Sequence, residues 1–379
     1  MSEKHVPSLK EVFGMPVPPV PVVEVGNKVR NALGRMHSRS APPFAVALER
    51  MFGLVDNKML TIMVELEIPD LLEDGPRSAT EIANETGADP DSMARMLRFL
   101  VSRDLLGVMK DGRYENNRVS NMLRRSHPWS WRDWVLFFGS EWNWKIWEKA
   151  KHSIMTGESG SEAAFGVPFF EYVNKRDPDA AVTFNGAMTA GARMQATLVT
   201  RAYDFSGVTR VCDVGGGSGA FLSVVLDLNP RLVATLFDLP EVVEDAGEPL
   251  DRMGVRDRCD IVGGDFFQEV PSGCDLYTLL AIVHDWNDSA VTEILANVRR
   301  AMTPGGKVLV VEAVLPENHS YDFANFSDLL MLVLSGSGRE RTEDRFAEVF
   351  AGAGLRVARI IKLPSLFRLF ELEDASSGS

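Results

Sequence analysis

The run Val208-Thr-Arg-Val-Cys-Asp-Val-Gly-Gly-Gly-Ser-Gly-Ala-Phe-Leu-Ser-Val-Val-Leu-Asp-Leu228 decides the fold. Val208 to Val214 is rich in β-branched side chains and reads as a strand, Gly215 to Gly219 as a loop, and Phe221 to Leu228 as an apolar helix. A glycine loop between strand and helix lets backbone approach a ligand closely at a helix N-terminus, which suits a nucleotide-like cofactor. Glycine spacing alone does not name that cofactor. Gly215, Gly217 and Ala220 also satisfy the dinucleotide pattern G-x-G-x-x-A, so a nicotinamide-dependent oxidoreductase stays open at this point.

Outward from that run the alternation continues. Strands are expected over Val233 to Phe237, Arg258 to Val262, Asp275 to Val283 and Lys307 to Ala313, with two more over Leu355 to Ile361 and Leu366 to Glu371. Helices are expected over Glu241 to Met253, Ser289 to Met302, Asn325 to Leu334 and Thr342 to Ala353. That rhythm predicts a doubly wound α/β domain with helices on both faces of a mainly parallel sheet.

Upstream the pattern is helical. Phe44, Ala47, Leu48, Met51, Phe52 and Val55 recur at three- and four-residue intervals. Ser78-Ala-Thr-Glu81 is a capping box, and Asp89-Pro90 is an N-cap followed by proline at the first helical position. Leu105 to Tyr114 has strand character broken by Asp111-Gly112, a hairpin signal. Helix, turn, helix and hairpin together make a winged-helix pattern, read here as structural or dimerising. The DNA-binding alternative is disfavoured by the candidate second helix, Asp91 to Leu100, which carries only Arg95 and Arg98 as cations. Six of the seven tryptophans fall between Trp129 and Trp147, which marks a core, an interface or an aromatic cavity. Residues 1–40 contain Met15-Pro-Val-Pro-Pro-Val-Pro21 and are expected to be a mobile, polyproline-like arm. The division expected is thus an arm over 1–40, a helical domain over 41–185 and a cofactor-binding domain over 186–379.

Composition narrows the classes. Of 379 residues 45% are apolar and 25% charged, an ordinary globular mix. Forty basic and 53 acidic side chains give a net charge of −13, which argues against nucleic acid and anionic membranes as partners. No apolar run approaches the roughly 18 residues of a membrane span. The three cysteines are too scattered for a disulfide framework or a zinc site, and no basic-apolar leader opens the chain, so a cytoplasmic protein with reduced thiols is expected.

Within the second domain, Asp238 ends the second strand, where a carboxylate can accept ribose hydroxyls. Asp265, in Gly264-Asp-Phe-Phe267, follows the third, placed to meet an exocyclic adenine amine with Phe266 against the ring; a turn aspartate is the alternative. His284, in Ile282-Val-His-Asp-Trp-Asn-Asp288, is the one histidine of six at the carboxyl end of an expected strand.

The Asp213-Val-Gly-Gly-Gly-Ser-Gly219 loop, Asp238, Gly264-Asp-Phe-Phe267 and the His284-Asp-Trp286 segment together resemble class I S-adenosylmethionine-dependent O-methyltransferases. The likeness is greatest to the caffeic-acid-type branch with its bacterial antibiotic-tailoring members, and it runs from about Pro43 to Glu371. It implies a Rossmann-like methyltransferase domain, an N-terminal winged-helix dimerisation domain, a homodimer, and methyl transfer to a hydroxyl of an aromatic small molecule. On that likeness Asp213, Gly215, Gly217, Asp238, Asp265 and Phe266 hold S-adenosylmethionine, His284 is the base, Glu312 and Glu340 orient it, and Asp285 lies near the methyl centre. Phe184 and Met188 match positions lining the aromatic-acceptor pocket, where core packing is the competing use. No metal is called for. A phenol has a pKa of about 10, so a positioned base is what makes it nucleophilic near neutrality. For Glu340 the neighbours Arg339, Arg341 and Glu343 leave a plain surface charge as the alternative. The plant branch has a lysine four residues before its histidine; Leu280 stands there, so that lysine's contacts do not transfer. Two further readings stay open, a cofactor-binding relative catalysing another reaction and the NAD(P)-dependent oxidoreductase.

Overall fold

β-Branched strands with short glycine- and aspartate-rich exits build the sheet that positions the site. A computed structural model describes residues 14–244, 246–318 and 322–378. It divides into two units, one formed chiefly by Ala32–Trp144 and the other by Lys145–Asn185 and Gly191–Ser379.

Exposed helix α1 (Val20–Ser40) begins in the stretch Val17–Asn31 that groups with the second unit, and in the first unit exposed α2 (Pro43–Met51) precedes α3 (Gly53–Glu65). The arm expected over 1–40 is corrected here. Pro21 sits in the first turn of α1, where its missing N–H is not needed, and no proline follows until Pro42, so the segment winds into helix. The rest of that expectation, residues 1–13, lies outside the described residues. Next come α4 (Ala79–Thr86) and α5 (Pro90–Ser102). Both expected caps form: Ser78 and Glu81 make the reciprocal capping box, and Asp89 accepts from the Ser92 N–H at 2.9 Å. The hairpin is β1 (Gly107–Val108) against β2 (Tyr114–Glu115), turning at Asp111-Gly112. Met63, Val64, Ile68, Ile82, Leu97 and Leu100 are the fully buried centre of this winged unit. The tryptophan-rich segment adds α6 (Arg132–Gly139), whose Trp134 and Phe137 meet edge to face, 5.8 Å apart.

The expected 185/186 division falls within helix α7 (Pro178–Ala202), where Gly186–Ala190 groups with the first unit and the residues on either side with the second. The stretch Lys145–Asn185 groups with the second unit, where Ser159 Oγ donates to the Leu334 carbonyl at 2.7 Å. The second unit then runs β3 (Arg210–Val214), α8 (Ala220–Leu228), β4 (Val233–Asp238), β5 (Cys259–Gly263), β6 (Leu276–Leu280), α9 (Asp288–Ala301), β7 (Lys307–Ala313), α10 (Phe323–Ser335), α11 (Glu343–Gly352), β8 (Leu355–Lys362) and β9 (Phe367–Asp374). The sheet order is β5-β4-β3-β6-β7-β9-β8. Strands β5 through β7 in that order pair in parallel, and β9 and β8 close the edge antiparallel. The order reverses between β3 and β6, and ligands of open α/β sheets bind outside the carboxyl ends at such a switch point.

Two expectations change in detail. The helix over Glu241 to Met253 is two short pieces, Pro240–Val243 and Glu248–Arg252, because Pro249 cannot donate within a continuous helix. The strand expected to reach Val283 stops at Leu280. Ala281 adopts φ +53°, a left-handed conformation costly for an alanine, and Val283–Asp285 forms a single tight turn.

Candidate active site

The glycine loop leaves β3 at the switch point. Asp213, one residue before the end of that strand, is 2% exposed and accepts the Thr278 hydroxyl from neighbouring β6 at 2.6 Å. Burial pushes its carboxyl up to about 7, against the pull of Thr278. Its other oxygen lies against the loop, 2.7 Å from where a Cβ on Gly216 would sit. Gly215 donates to the Phe237 carbonyl at 2.8 Å and Gly217 to Asp238 Oδ2 at 2.8 Å. Gly217 has φ +55° with no heavy atom within 4 Å of where a Cβ would sit, so the loop presents bare backbone to open space. The other Asp238 oxygen accepts the Leu239 N–H at 2.7 Å. Burial raises the Asp238 carboxyl above its ordinary range, with those two N–H groups pulling the other way. A carboxylate offers about four acceptor sites, so two remain for a pair of ribose hydroxyls.

Asp265 Oδ1 accepts the Phe267 N–H at 2.9 Å, the turn use that was its alternative, which leaves Oδ2 for an adenine amine. Phe266 meets Trp286 edge to face at 5.9 Å, and Asn297 Nδ2 fixes the carbonyls of Phe266 and Phe267 at 2.8 and 2.9 Å. Trp286 also packs near-parallel to Phe170, 6.4 Å away, and Phe170 meets Phe184 at 6.3 Å. Phe184 is therefore joined to the histidine segment by a chain of rings. Met188 lies half-buried further along α7, in the segment Gly186–Ala190 that groups with the first unit.

The left-handed step at Ala281 swings His284 off the sheet. Its Nδ1 lies 3.0 Å from Glu312 Oε2 and 3.3 Å from Glu340 Oε1, as charge contacts rather than aligned hydrogen bonds. Both glutamates have fully buried side chains, so the surface reading of Glu340 does not hold. Glu312 Oε1 accepts the Val283 N–H at 2.6 Å and the His284 N–H at 3.3 Å. Glu340 Oε1 accepts the Ser327 hydroxyl at 2.6 Å. His284 Nε2 is 3.7 Å from Asp285 Oδ1, beyond hydrogen-bonding range, so that nitrogen is uncommitted to Asp285. Burial alone would lower the imidazole pKa, but Glu312, Glu340 and Asp285 together hold it well above its ordinary value. Asp285 is pushed up to about 7 by burial, partly countered by His284.

His284, Glu312 and Glu340 put donor atoms within 4.8 Å of one another, a spacing also open to a metal ion. Sequence reasoning passed over Thr278, Ser327 and Phe170, and used Trp286 only as part of the His284-Asp-Trp286 motif.

Bare glycine backbone, a half-satisfied carboxylate at the end of β4 and a buried histidine in the turn after β6 gather at the switch point of the doubly wound sheet. Residues 147–356 match the O-methyltransferase domain family, and residues 48–126 the O-methyltransferase dimerisation domain. The chain is 37% identical over 332 residues to a phenazine O-methyltransferase of Lysobacter antibioticus, covering 88% of this chain and 96% of that one. It is 38% identical over 303 residues to the mitomycin biosynthesis 6-O-methyltransferase of Streptomyces lavendulae, covering 80% and 86%. A solved methyltransferase of calicheamicin biosynthesis, in its S-adenosylhomocysteine-bound form, superposes with a TM-score of 0.78 at 32% identity, covering 88% and 98%. The chain belongs to the O-methyltransferase family, which uses S-adenosylmethionine, and this sets aside the oxidoreductase alternative. Among the described residues no helix is long and apolar enough to cross a membrane.

Proposed function

We propose that this enzyme methylates a hydroxyl of an aromatic secondary metabolite, working as a homodimer, with His284 as general base. The observation that carries the reading is the imidazole held at Nδ1 by two buried carboxylates, with Nε2 free of Asp285. A proton kept at Nδ1 leaves the Nε2 lone pair as the acceptor, the tautomer a base needs. S-adenosylmethionine supplies an activated methyl on a sulfonium, which departs as a neutral thioether. Asp238, Asp265 and the Gly215–Gly217 backbone hold that cosubstrate, with Phe266 on its ring, and Phe184 and Met188 grip the planar acceptor. Nε2 takes the phenolic proton as the oxygen forms its bond to carbon, and the imidazolium later releases that proton to water. Asp285 borders the transfer and is tuned by the same cluster. No step requires a metal, so a chelator that abolishes turnover, with recovery on added magnesium, overturns that part.

The relatives act on a phenazine and in mitomycin biosynthesis, which supports fused aromatic acceptors as the first panel to screen. The test begins with calorimetric titration of S-adenosylhomocysteine against an NADH control, then a phenol panel read by mass for one added methyl. His284→Gln is expected to cut turnover by about 10²–10⁴, the usual worth of general base catalysis, with homocysteine-nucleoside affinity unchanged. Unchanged turnover places the base elsewhere.

A further inference from the structure

The turn that carries His284 has its N–H groups held from one side by Glu312. Its carbonyls are held from the other side by one short segment, Ser337 to Arg341. Arg339 donates its backbone N–H to the His284 carbonyl at 2.7 Å, and Ser337 Oγ reaches the Asp285 carbonyl at 3.4 Å. Arg341 spans the two ends. Its Nη1 donates to the Val283 carbonyl at 3.1 Å and its Nη2 to the Trp286 carbonyl at 2.7 Å. Its Nε donates to Asp288 Oδ1 at 2.7 Å, at the first residue of α9. Nη1 also reaches the Arg339 carbonyl at 3.2 Å, so this side chain, 1% exposed, has a partner on every guanidinium nitrogen. The approach is close throughout: a Cβ on Gly338 would lie 2.7 Å from the His284 carbonyl oxygen.

A buried cation with this much hydrogen bonding is costly unless each donor is matched, and every match here falls on the histidine turn, its own segment or the helix that follows. Glu340, between Arg339 and Arg341, is the one residue of the triplet whose side chain meets the imidazole. The backbone grip and the carboxylate thus arrive on the same stretch of chain.

We propose that Arg341 is a positioning residue for methyl transfer, its guanidinium fork fixing the two ends of the Val283–Trp286 turn so that His284 stays registered between Glu312 and Glu340. The inference rests on reading His284 as the base. The groups facing the imidazole are Glu312 from β7, Glu340 from the gripping segment and Asp285 from its own turn, with Asp328 of α10 behind Glu340, accepting its N–H at 2.9 Å. Lysine keeps the charge but donates from one point, and cannot reach both carbonyls and Asp288 together.

The test is Arg341→Lys in the full-length chain, with Asp288→Asn as a second variant that loosens the same fork, and Ile82→Val, in the core of the other unit, as a stability control. Two readouts are taken: turnover on the phenol found above, and the titration of His284 followed by NMR of histidine labelled at Cε1, assigned with His284→Gln. Expected for Arg341→Lys is a loss of about 10²-fold in kcat, the scale of an ångström-sized misplacement, with S-adenosylhomocysteine affinity retained. His284 is also expected to titrate at lower pH than in the parent, because an imidazole displaced from its carboxylates loses what raises its pKa. Asp288→Asn should shift both readouts in the same direction by less, and decides the matter if the lysine variant does not fold. An unmoved His284 titration with activity falling only in step with Tm, as in the control, overturns the proposal. Should the parent methylate no phenol, the base reading fails, while the titration still reports whether Arg341 registers the imidazole.

Discussion

Glu312→Gln tests the proton-handling arrangement most directly, because it changes charge and donor character while keeping shape. The glutamine carbonyl can still accept the Val283 and His284 N–H groups, as Glu312 Oε1 does at 2.6 and 3.3 Å. Its amide nitrogen then faces His284 Nδ1 where Glu312 Oε2 stood at 3.0 Å. An amide N–H₂ only donates, so it favours the imidazole with its proton on Nε2, the form that cannot accept from a phenol. The same carboxylate-to-amide change in serine-protease triads costs about 10⁴ through the wrong tautomer. Here Glu340 still contacts Nδ1 at 3.3 Å and favours the productive form, which softens the loss. We expect kcat to fall about 10²–10³-fold, or roughly 2.7–4.1 kcal/mol at about 1.36 kcal/mol per decade. Glu340→Gln should cost only about tenfold, since its Oε1 is already shared with Ser327 at 2.6 Å. The pH profile adds a sign. The base works unprotonated, so rate rises with pH through the His284 pKa, which the three carboxylates raise. Removing one charge lowers that pKa, moving the acid limb to lower pH while the plateau drops. Steady-state methylation across pH, with S-adenosylhomocysteine calorimetry as the binding control, measures both. Turnover within threefold of the parent, or a limb that stays in place, refutes the reasoning.

Asp238→Asn should weaken S-adenosylhomocysteine by about 10–150-fold, the 1.5–3 kcal/mol of hydrogen bonds to a charged group, and leave the pH limb alone; a loss under threefold by calorimetry counts against the ribose assignment. Asp213, held up to about 7 by burial, keeps its proton where the unfolded chain, near 3.9, has released it. Its favourable contribution is therefore whole below about pH 4 and is lost as pH rises toward 7, so Asp213→Asn should gain Tm over the parent at pH 8 and gain less at pH 5. An equal difference at both pH values would falsify the buried-carboxyl account. The exposed Val22, Val25, Val29, Leu33, Phe44 and Met51 lead us to expect a dimer in sedimentation at micromolar concentration, which a stable monomer would exclude.

How much of this was written in the sequence depends on how local each signal is. Strand β7 falls on Lys307–Ala313 as periodicity placed it, and the Ser78 and Asp89 caps form because capping is decided within four residues. The glycine loop, Asp238 and His284 are likewise marked by their neighbours at strand ends. Other features depend on contacts distant in sequence. Helix α1 was obscured by proline density, although a single proline in the first turn is compatible with everything after it. The end of β6 at Leu280 is set by a strained alanine, which no apolar pattern encodes. Arg341 carries no signal of its own beyond being one of the charged neighbours that left a surface charge as the alternative for Glu340. The pairing of Val314 with Arg341 lays that segment beside the end of β7, which buries Glu340 and Arg341 while Arg339 stays exposed.

A histidine with two buried carboxylates on one nitrogen makes chemical sense for a phenol. The ordinary pKa values, about 10 for phenol and about 6.5 for imidazole, leave a gap worth roughly 5 kcal/mol against proton transfer. Each carboxylate that favours the imidazolium narrows that gap, and does so most where the proton ends up, in the transition state and after. The same effect keeps more of the resting enzyme protonated near neutrality, so a stronger base is bought with a smaller active fraction and an acid limb that lies at higher pH. Uncharged packing around His284 would reverse both effects, because burial alone lowers the imidazole pKa. The arrangement therefore favours acceptors whose hydroxyl is hard to ionise. A substrate arriving already ionised would gain nothing from Glu312, and for such a substrate Glu312→Gln should leave kcat untouched.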